Sequence, residues 1–236
     1  MKEGEVKGHE IRANQFDRWV GEAQAEMILR TCEGTSLLDV GCGKGEFTKL
    51  YVDNFERVVG VEPLKKYVRE ADRSTGVEYI QGDGETFDLD ENFDVIVLSM
   101  VIEHTSNPVT VLRNCKRHLA EDGIIIVFTP NANSITRRLG VSMGILDSIH
   151  HMTEREIVEC GHKYIYTADS LERTAEDAGL EILTSFGFLY KPLPNEILGK
   201  ICEEKGEEWR VNFIDALVEL GMDHPEDCAS LCIICM

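Results

Sequence analysis

An apolar run, Leu37-Leu38-Asp39-Val40, leads straight into Gly41-Cys42-Gly43-Lys44-Gly45 and then Glu46-Phe47. A strand that ends on three alternate glycines must turn sharply, because glycine takes positive φ and has no Cβ to hold a ligand away. The pattern predicts a strand, a tight loop and a helix near 46–53, with a ligand against backbone amides beside the helix N-terminus. G-x-G-x-G is neither the G-x-G-x-x-G of dinucleotide folds nor a P-loop, so a pyrophosphate and a triphosphate are both poor guests. A different adenosine ligand is expected.

Further strands follow at a regular interval. Val58-Val59-Gly60-Val61-Glu62 ends in a carboxylate about 20 residues after Asp39, the interval at which an acid accepts ribose hydroxyls in nucleotide folds. Apolar runs near 36–40, 57–61, 77–81, 93–99 and 123–128 alternate with helical stretches near 46–53, 64–72 and 108–118. That βα rhythm predicts a Rossmann-like, doubly wound α/β sheet of about seven mostly parallel strands, covered on both faces and with ligands at the carboxyl ends. An N-terminal helix over 11–30 carries a helical apolar period, Thr167 caps a helix to Ala178, and 180–188 reads as a sixth strand. Lys191-Pro192-Leu193-Pro194 cannot continue a ladder, so 189–227 should be a helical insertion before an antiparallel last strand over 229–235. The expected organisation is one domain over 1–236, with a helical cover (1–34), a substrate-side loop region (131–166) and the insertion (189–227) as a lid or a homodimer surface.

Leu37 to Phe47 resembles the first motif of class I S-adenosylmethionine (SAM) dependent methyltransferases. Glu62, the turn Gly82-Asp83-Gly84-Glu85, the strand Asn92 to Ser99 and the approach Leu119 to Val127 resemble the motifs that follow. The resemblance implies that Gly41, Gly43 and Gly45, beside Asp39, admit the methionine and ribose portion of SAM. By the same likeness Glu62, next to Pro63, takes the ribose hydroxyls, Asp83 with Gly84 and Glu85 the adenine, and Ser99 and Met100 the methyl end. Val101-Ile102-Glu103-His104 to Pro108, Thr129-Pro130-Asn131 and Gly161-His162-Lys163-Tyr164 are similar to the ubiquinone-biosynthesis O-methyltransferases and to small-molecule and sugar methyltransferases. This likeness covers most of 35–188 and implies S-adenosylhomocysteine (SAH) as product.

Methyl transfer to a hydroxyl needs the acceptor oriented and its proton removed, and histidine titrates near working pH. His104, after the fourth strand with Glu103 beside it, is one candidate base; His151 and His162 are others. His150, Arg137 and Arg138 are candidate acceptor contacts, the arginines through bidentate bonds to a phosphate or carboxylate. His150, His151 and His162 with Asp147 and Glu154 could form a divalent metal site, but a polar closing loop carries such residues without metal, and none is expected. Cys228, Cys232 and Cys235 lack a second ligand pair for zinc and read as small buried residues of the last strand.

The net charge of -19, from 24 basic and 43 acidic residues, argues against nucleic acid, since neither Arg137-Arg138 nor Lys65-Lys66 builds a basic stripe. No apolar run reaches a membrane span, the first thirty residues lack a signal-peptide core, and the eight scattered cysteines suit a reducing compartment. The expectation is a cytoplasmic SAM-dependent O-methyltransferase of a small soluble metabolite. Two rivals stand beside it: an N-methyltransferase of an amino sugar or other small amine, and a SAM-binding scaffold that transfers nothing.

Overall fold

In the computed structural model, which describes residues 15–236, every strand run read from the sequence becomes a strand. β1 (Ser36–Val40), β2 (Arg57–Glu62), β3 (Glu78–Gln81) and β4 (Phe93–Ser99) are parallel, as is β5 (Leu119–Pro130) beside β4. β6 (Ile182–Phe188) and β7 (Ser230–Cys235) complete a seven-stranded sheet in the order β3-β2-β1-β4-β5-β7-β6, with β7 antiparallel to both neighbours.

Alternation along the strands builds two apolar layers. Leu37, Val95, Val97 and Phe128 face one side, where α1 (Gln15–Thr31), α6 (Asn195–Lys205) and α7 (Glu207–Asp223) cover them. Leu38, Ile96, Leu98 and Val127 face the other, under α3 (Pro108–Arg117) and α5 (Ala168–Asp177). α2 (Lys65–Glu70) covers the β2 and β3 end. Ile96 and Leu98 are fully buried, so truncating either to alanine should cost about 2–5 kcal/mol.

Local capping agrees with the sequence. Asn107 accepts from Thr110 N at the start of α3, where Pro108 sits at a position that needs no N–H, and Thr167 forms a capping box with Ser170 on α5. The residues 11–14 of the expected first helix lie outside the described residues, as does the 1–14 part of the 1–34 cover. The insertion is helical as expected: Pro194 precedes α6, and Gly206 at φ 88° breaks it from α7.

Two segments differ from the reading. The helix expected near 46–53 is one 3-10 turn, Thr48–Tyr51. Thr48 turns its hydroxyl inward to Asp39 Oδ2 at 2.6 Å, and the Phe47 ring fills the space left by the missing Cβ of Gly21. Both ties pull the chain away from a regular α-helical path. The region 131–166, read as loop, contains α4 (Ile135–Ser142) and a π-helical turn over Arg155–Glu159.

Candidate active site

At the carboxyl ends of β1 and β4 lies a cavity of about 650 Å³, walled by α1, the glycine loop, the 131–166 region and the insertion. Asp39, Gly41, Ser99 and Met100 line its floor, and Arg137 and His162 its far side. Met100 at the end of β4 and Leu189 at the end of β6 both hold positive φ, 55° and 65°, and both face this space. Backbone strain of this kind costs about 1–3 kcal/mol per residue and gathers where a ligand is held.

The glycine loop is shaped for close approach. Gly41, Gly43 and Gly45 have φ of 78°, 57° and 79°; a Cβ on Gly41 would strike Val101 and one on Gly45 the Tyr79 hydroxyl, whereas Gly43 opens on empty space. Its amides are not bare, contrary to the sequence expectation. Gly41 N and Cys42 N both donate to Val61 O, Gly43 N to Glu62 Oε2 at 3.0 Å, and Gly45 N to Cys42 O. The loop curls back on its own acceptors, so it offers shape more than donors.

Glu62 is buried, and its second oxygen accepts from Leu64 N at 2.9 Å. Burial raises its pKa while the two amides pull it down. Two amide bonds leave lone pairs spare on a carboxylate that has about four acceptor sites. Pro63 is exposed beside it. Asp83 is exposed and accepts from Glu85 N at 2.8 Å; Glu85 in turn accepts from Asn107 N at the start of α3, and Gly84 lies against Val111. None of Glu62, Pro63, Asp83, Gly84 or Glu85 lines the cavity. They form the separate β2 and β3 side of the same sheet edge.

Asp39 is buried, its pKa pushed up to about 6 by desolvation against the Thr48 hydrogen bond. Glu103 is buried too; it accepts from the Thr129 hydroxyl at 3.1 Å, and burial raises its pKa to about 8. His104 Nε2 stands 3.9 Å from Glu103 Oε1, and the His104 and His162 rings meet edge to face with centroids 4.9 Å apart. The three residues bring one donor atom each within 4.8 Å of one another. His162 is the member that reaches the cavity, and desolvation, helped by His104, lowers its pKa to about 4. At neutral pH its imidazole is uncharged.

Several expected contacts go elsewhere. Arg137 lines the cavity, but its guanidinium pairs with Glu156 and donates to Ile149 O and His151 O, so it braces the 131–166 region and does not present a free fork. Arg138 pairs with Asp227 outside the cavity. His150 is exposed and His151 bonds Asp147 at 3.0 Å, neither lining the cavity, so the histidine cluster drawn from sequence with Asp147 and Glu154 is not assembled. Cys228, Cys232 and Cys235 are free and buried, at or beside β7.

Sequence reasoning missed the α1 and insertion side chains. Asp17, Gln24, Lys191, Asn195 and Glu196 all line the cavity, and a hydrogen-bonded line runs from Lys191 through Asn195 to Asp17. Burial depresses the Lys191 pKa, against the pull of Asp17 and Glu196. The signal available was the polar residue Gln24 within the buried helical face of Phe16, Gly21 and Ile28. Among the described residues no helix is long and apolar enough to cross a membrane.

The chemistry of this edge suits SAM: a carboxylate with spare lone pairs, a glycine turn open at Gly43, and a cavity beyond it for an acceptor. A family model described as a methyltransferase domain matches residues 12–185. Ubiquinone biosynthesis O-methyltransferase from Bos taurus mitochondria is 28% identical over 174 residues, covering 67% of this chain and 45% of that protein. The enzyme of the same description from Rickettsia conorii is 28% identical over 185 residues, covering 74% and 61%. The chain thus spans roughly half the length of the curated relatives it matches. A solved SAM-dependent methyltransferase from Thermotoga maritima, described as a possible histamine N-methyltransferase, shares the fold with a TM-score of 0.60 at 19% identity, covering 94% of this chain and 93% of that one. With a methyltransferase-domain match over most of its length and the fold of a solved SAM-dependent methyltransferase, the chain belongs to the class I SAM-dependent methyltransferases.

Proposed function

We propose that the protein methylates a hydroxyl of a small soluble metabolite in the cytoplasm, with His162 as the base that receives the hydroxyl proton. SAM supplies an electrophilic methyl group when bound. The carrying observation is that an uncharged imidazole, His162, stands in the cavity wall with His104 and buried Glu103 behind it. A neutral base inside a desolvated site takes a proton without first giving one up. The His104 ring, packed edge to face on His162 with Glu103 behind it, holds the base in orientation.

On the cofactor side, the spare lone pairs of Glu62 take the ribose hydroxyls, Asp83 with Gly84 and Glu85 the adenine, and Ser99 and Met100 border the methyl group. On the acceptor side, Lys191, Asn195 and Thr153 replace Arg137, Arg138 and His150 as the contacts, since those side chains line the cavity and the second arginine and the exposed histidine do not. The eight free, mostly buried thiols support a reducing compartment. The curated relatives, named as O-methyltransferases, support oxygen as the acceptor atom. Amine methylation is favoured by one observation, the carboxylates Asp17, Glu156 and Glu196 in the same wall.

The deciding experiment incubates the protein with methyl-labelled SAM and a fractionated metabolite extract, then identifies labelled products by mass spectrometry. A labelled methyl ether supports the reading, a labelled methyl ester or amine replaces the hydroxyl acceptor with a carboxylate or an amine, and SAM binding without transfer points to the scaffold.

A further inference from the structure

A second cleft, of about 490 Å³, opens between the N-terminal ends of α3 and α5 and shares no lining residue with the cavity at β1 and β4. Tyr166 in its wall is 4% exposed, and the phenol oxygen is buried with no hydrogen-bond partner. Burial, with Glu103 nearby, raises the phenol pKa, so the hydroxyl is a donor at any working pH. A buried donor left unpaired is destabilising and calls for an acceptor that the protein itself does not supply.

The groups around it are donors too. Pro108 has no N–H and Asn107 Oδ1 takes Thr110 N, which leaves Val109 N as the open amide in the first turn of α3. The same cap occupies the Asn107 oxygen and leaves its Nδ2 to donate. Lys163 Nζ donates to Ser106 Oγ at 2.8 Å, which brings an ammonium to the cleft. Tyr164 and Val109 add apolar surface. Among the described residues no acidic side chain lines this space, although the chain has 43 acids against 24 bases; Glu85, which accepts from Asn107 N, lies outside it. Donors gathered at a helix N-terminus beside a lysine select an anion.

We propose that this cleft is a second ligand site for a small organic anion, a carboxylate or phosphate ester on an aromatic or apolar body, with the Tyr166 hydroxyl, Asn107 Nδ2 and the α3 N-terminus as its donors. The segment 162–166 divides the two sites: His162 lines the cavity, and Tyr164 and Tyr166 line the cleft.

Phenyl phosphate, benzoate and uncharged benzyl alcohol are titrated against the full chain by ligand-detected NMR, with and without saturating SAH. At least one anion should bind, benzyl alcohol about tenfold more weakly, and SAH should displace neither; the tighter anion separates phosphate from carboxylate. Tyr166→Phe removes only the unpartnered oxygen, so it should weaken the anion about tenfold while the melting temperature holds or rises. Asn107→Asp keeps the cap on Thr110 N but sets a negative charge at the cleft, and should abolish binding with α3 intact. Should Tyr166→Phe fail to fold, Asn107→Asp decides alone. No binding of either anion, displacement by SAH, equal binding of benzyl alcohol, or an unchanged affinity in either variant overturns the proposal. A protein that does not bind SAH fails the cofactor reading above and leaves the variants to decide this one.

Discussion

The hydroxyl of Thr129, near the end of β5, donates at 3.1 Å to the carboxyl of Glu103, which is buried in the turn that follows β4. Desolvation outweighs this bond and lifts Glu103 from 4.5 to about 8. The folded protein then holds a proton that the unfolded chain releases, so stability should fall as pH rises through that window and level off above it. Glu103→Gln, neutral throughout, should lack the decline and be the more stable protein at pH 9, by on the order of a few kcal/mol. Melting curves of both proteins from pH 5 to 9 check this, and parallel curves would refute it.

His162 should behave as a base that is already deprotonated over the physiological range. With its pKa lowered to about 4, the acid limb of kcat against pH should lie well below the 6.5 of an ordinary histidine. His162→Asn should lower kcat by about 10²–10⁴ while SAH affinity stays within twofold, whereas His151→Asn, on an exposed Asp147 pair outside the cavity, should leave both unchanged. An acid limb near 6.5 would move the role of base to another group.

Gly45→Ala should abolish tight SAH binding, because its φ of 79° strains any side chain and the new methyl would collide with the Tyr79 hydroxyl. Gly76→Ala is the matched control: φ is 87°, nothing lies within 4 Å, and the position is away from the cavity. It should cost about 1 kcal/mol of stability and leave binding intact. Calorimetry and thermal melts separate the two effects.

Lys191→Met should reduce label transfer from SAM into metabolite extract through the acceptor requirement, seen as a several-fold rise in the extract concentration needed for half-maximal rate. SAH affinity should stay unchanged. Arg138→Ala, whose partner Asp227 lies outside the cavity, should not alter either value. A Lys191→Met enzyme with the wild-type concentration dependence would take the insertion out of acceptor recognition.

Much of the frame was legible because it rests on local patterns. Val58 to Val61 and Val95 to Leu98 are apolar runs buried on both faces, and the glycines of the first loop carry their backbone requirement in their identity. The 46–53 helix was misread because its course is set at long range, by Thr48 reaching Asp39 and Phe47 reaching Gly21. The α1 and insertion side of the cavity wall was opaque for the same reason. Asp17 and Asn195 meet although they are far apart in sequence, and neither periodicity nor motif signals such a pair. Arginine pairs such as Arg137-Arg138 mislead because sequence shows a charge and hides the carboxylates, Glu156 and Asp227, that absorb it.

Among the described residues β6 has a single partner in the sheet, and that partner, β7, comes later in the chain and slots between β6 and β5. On the ribosome, β6 is therefore made before anything exists for it to pair with, and it must wait as an open ribbon while both helices of the insertion emerge. A nascent chain stalled in that interval would show chaperones an unfinished ladder, so synonymous codon changes that slow translation across 189–227 should raise aggregation without altering a residue.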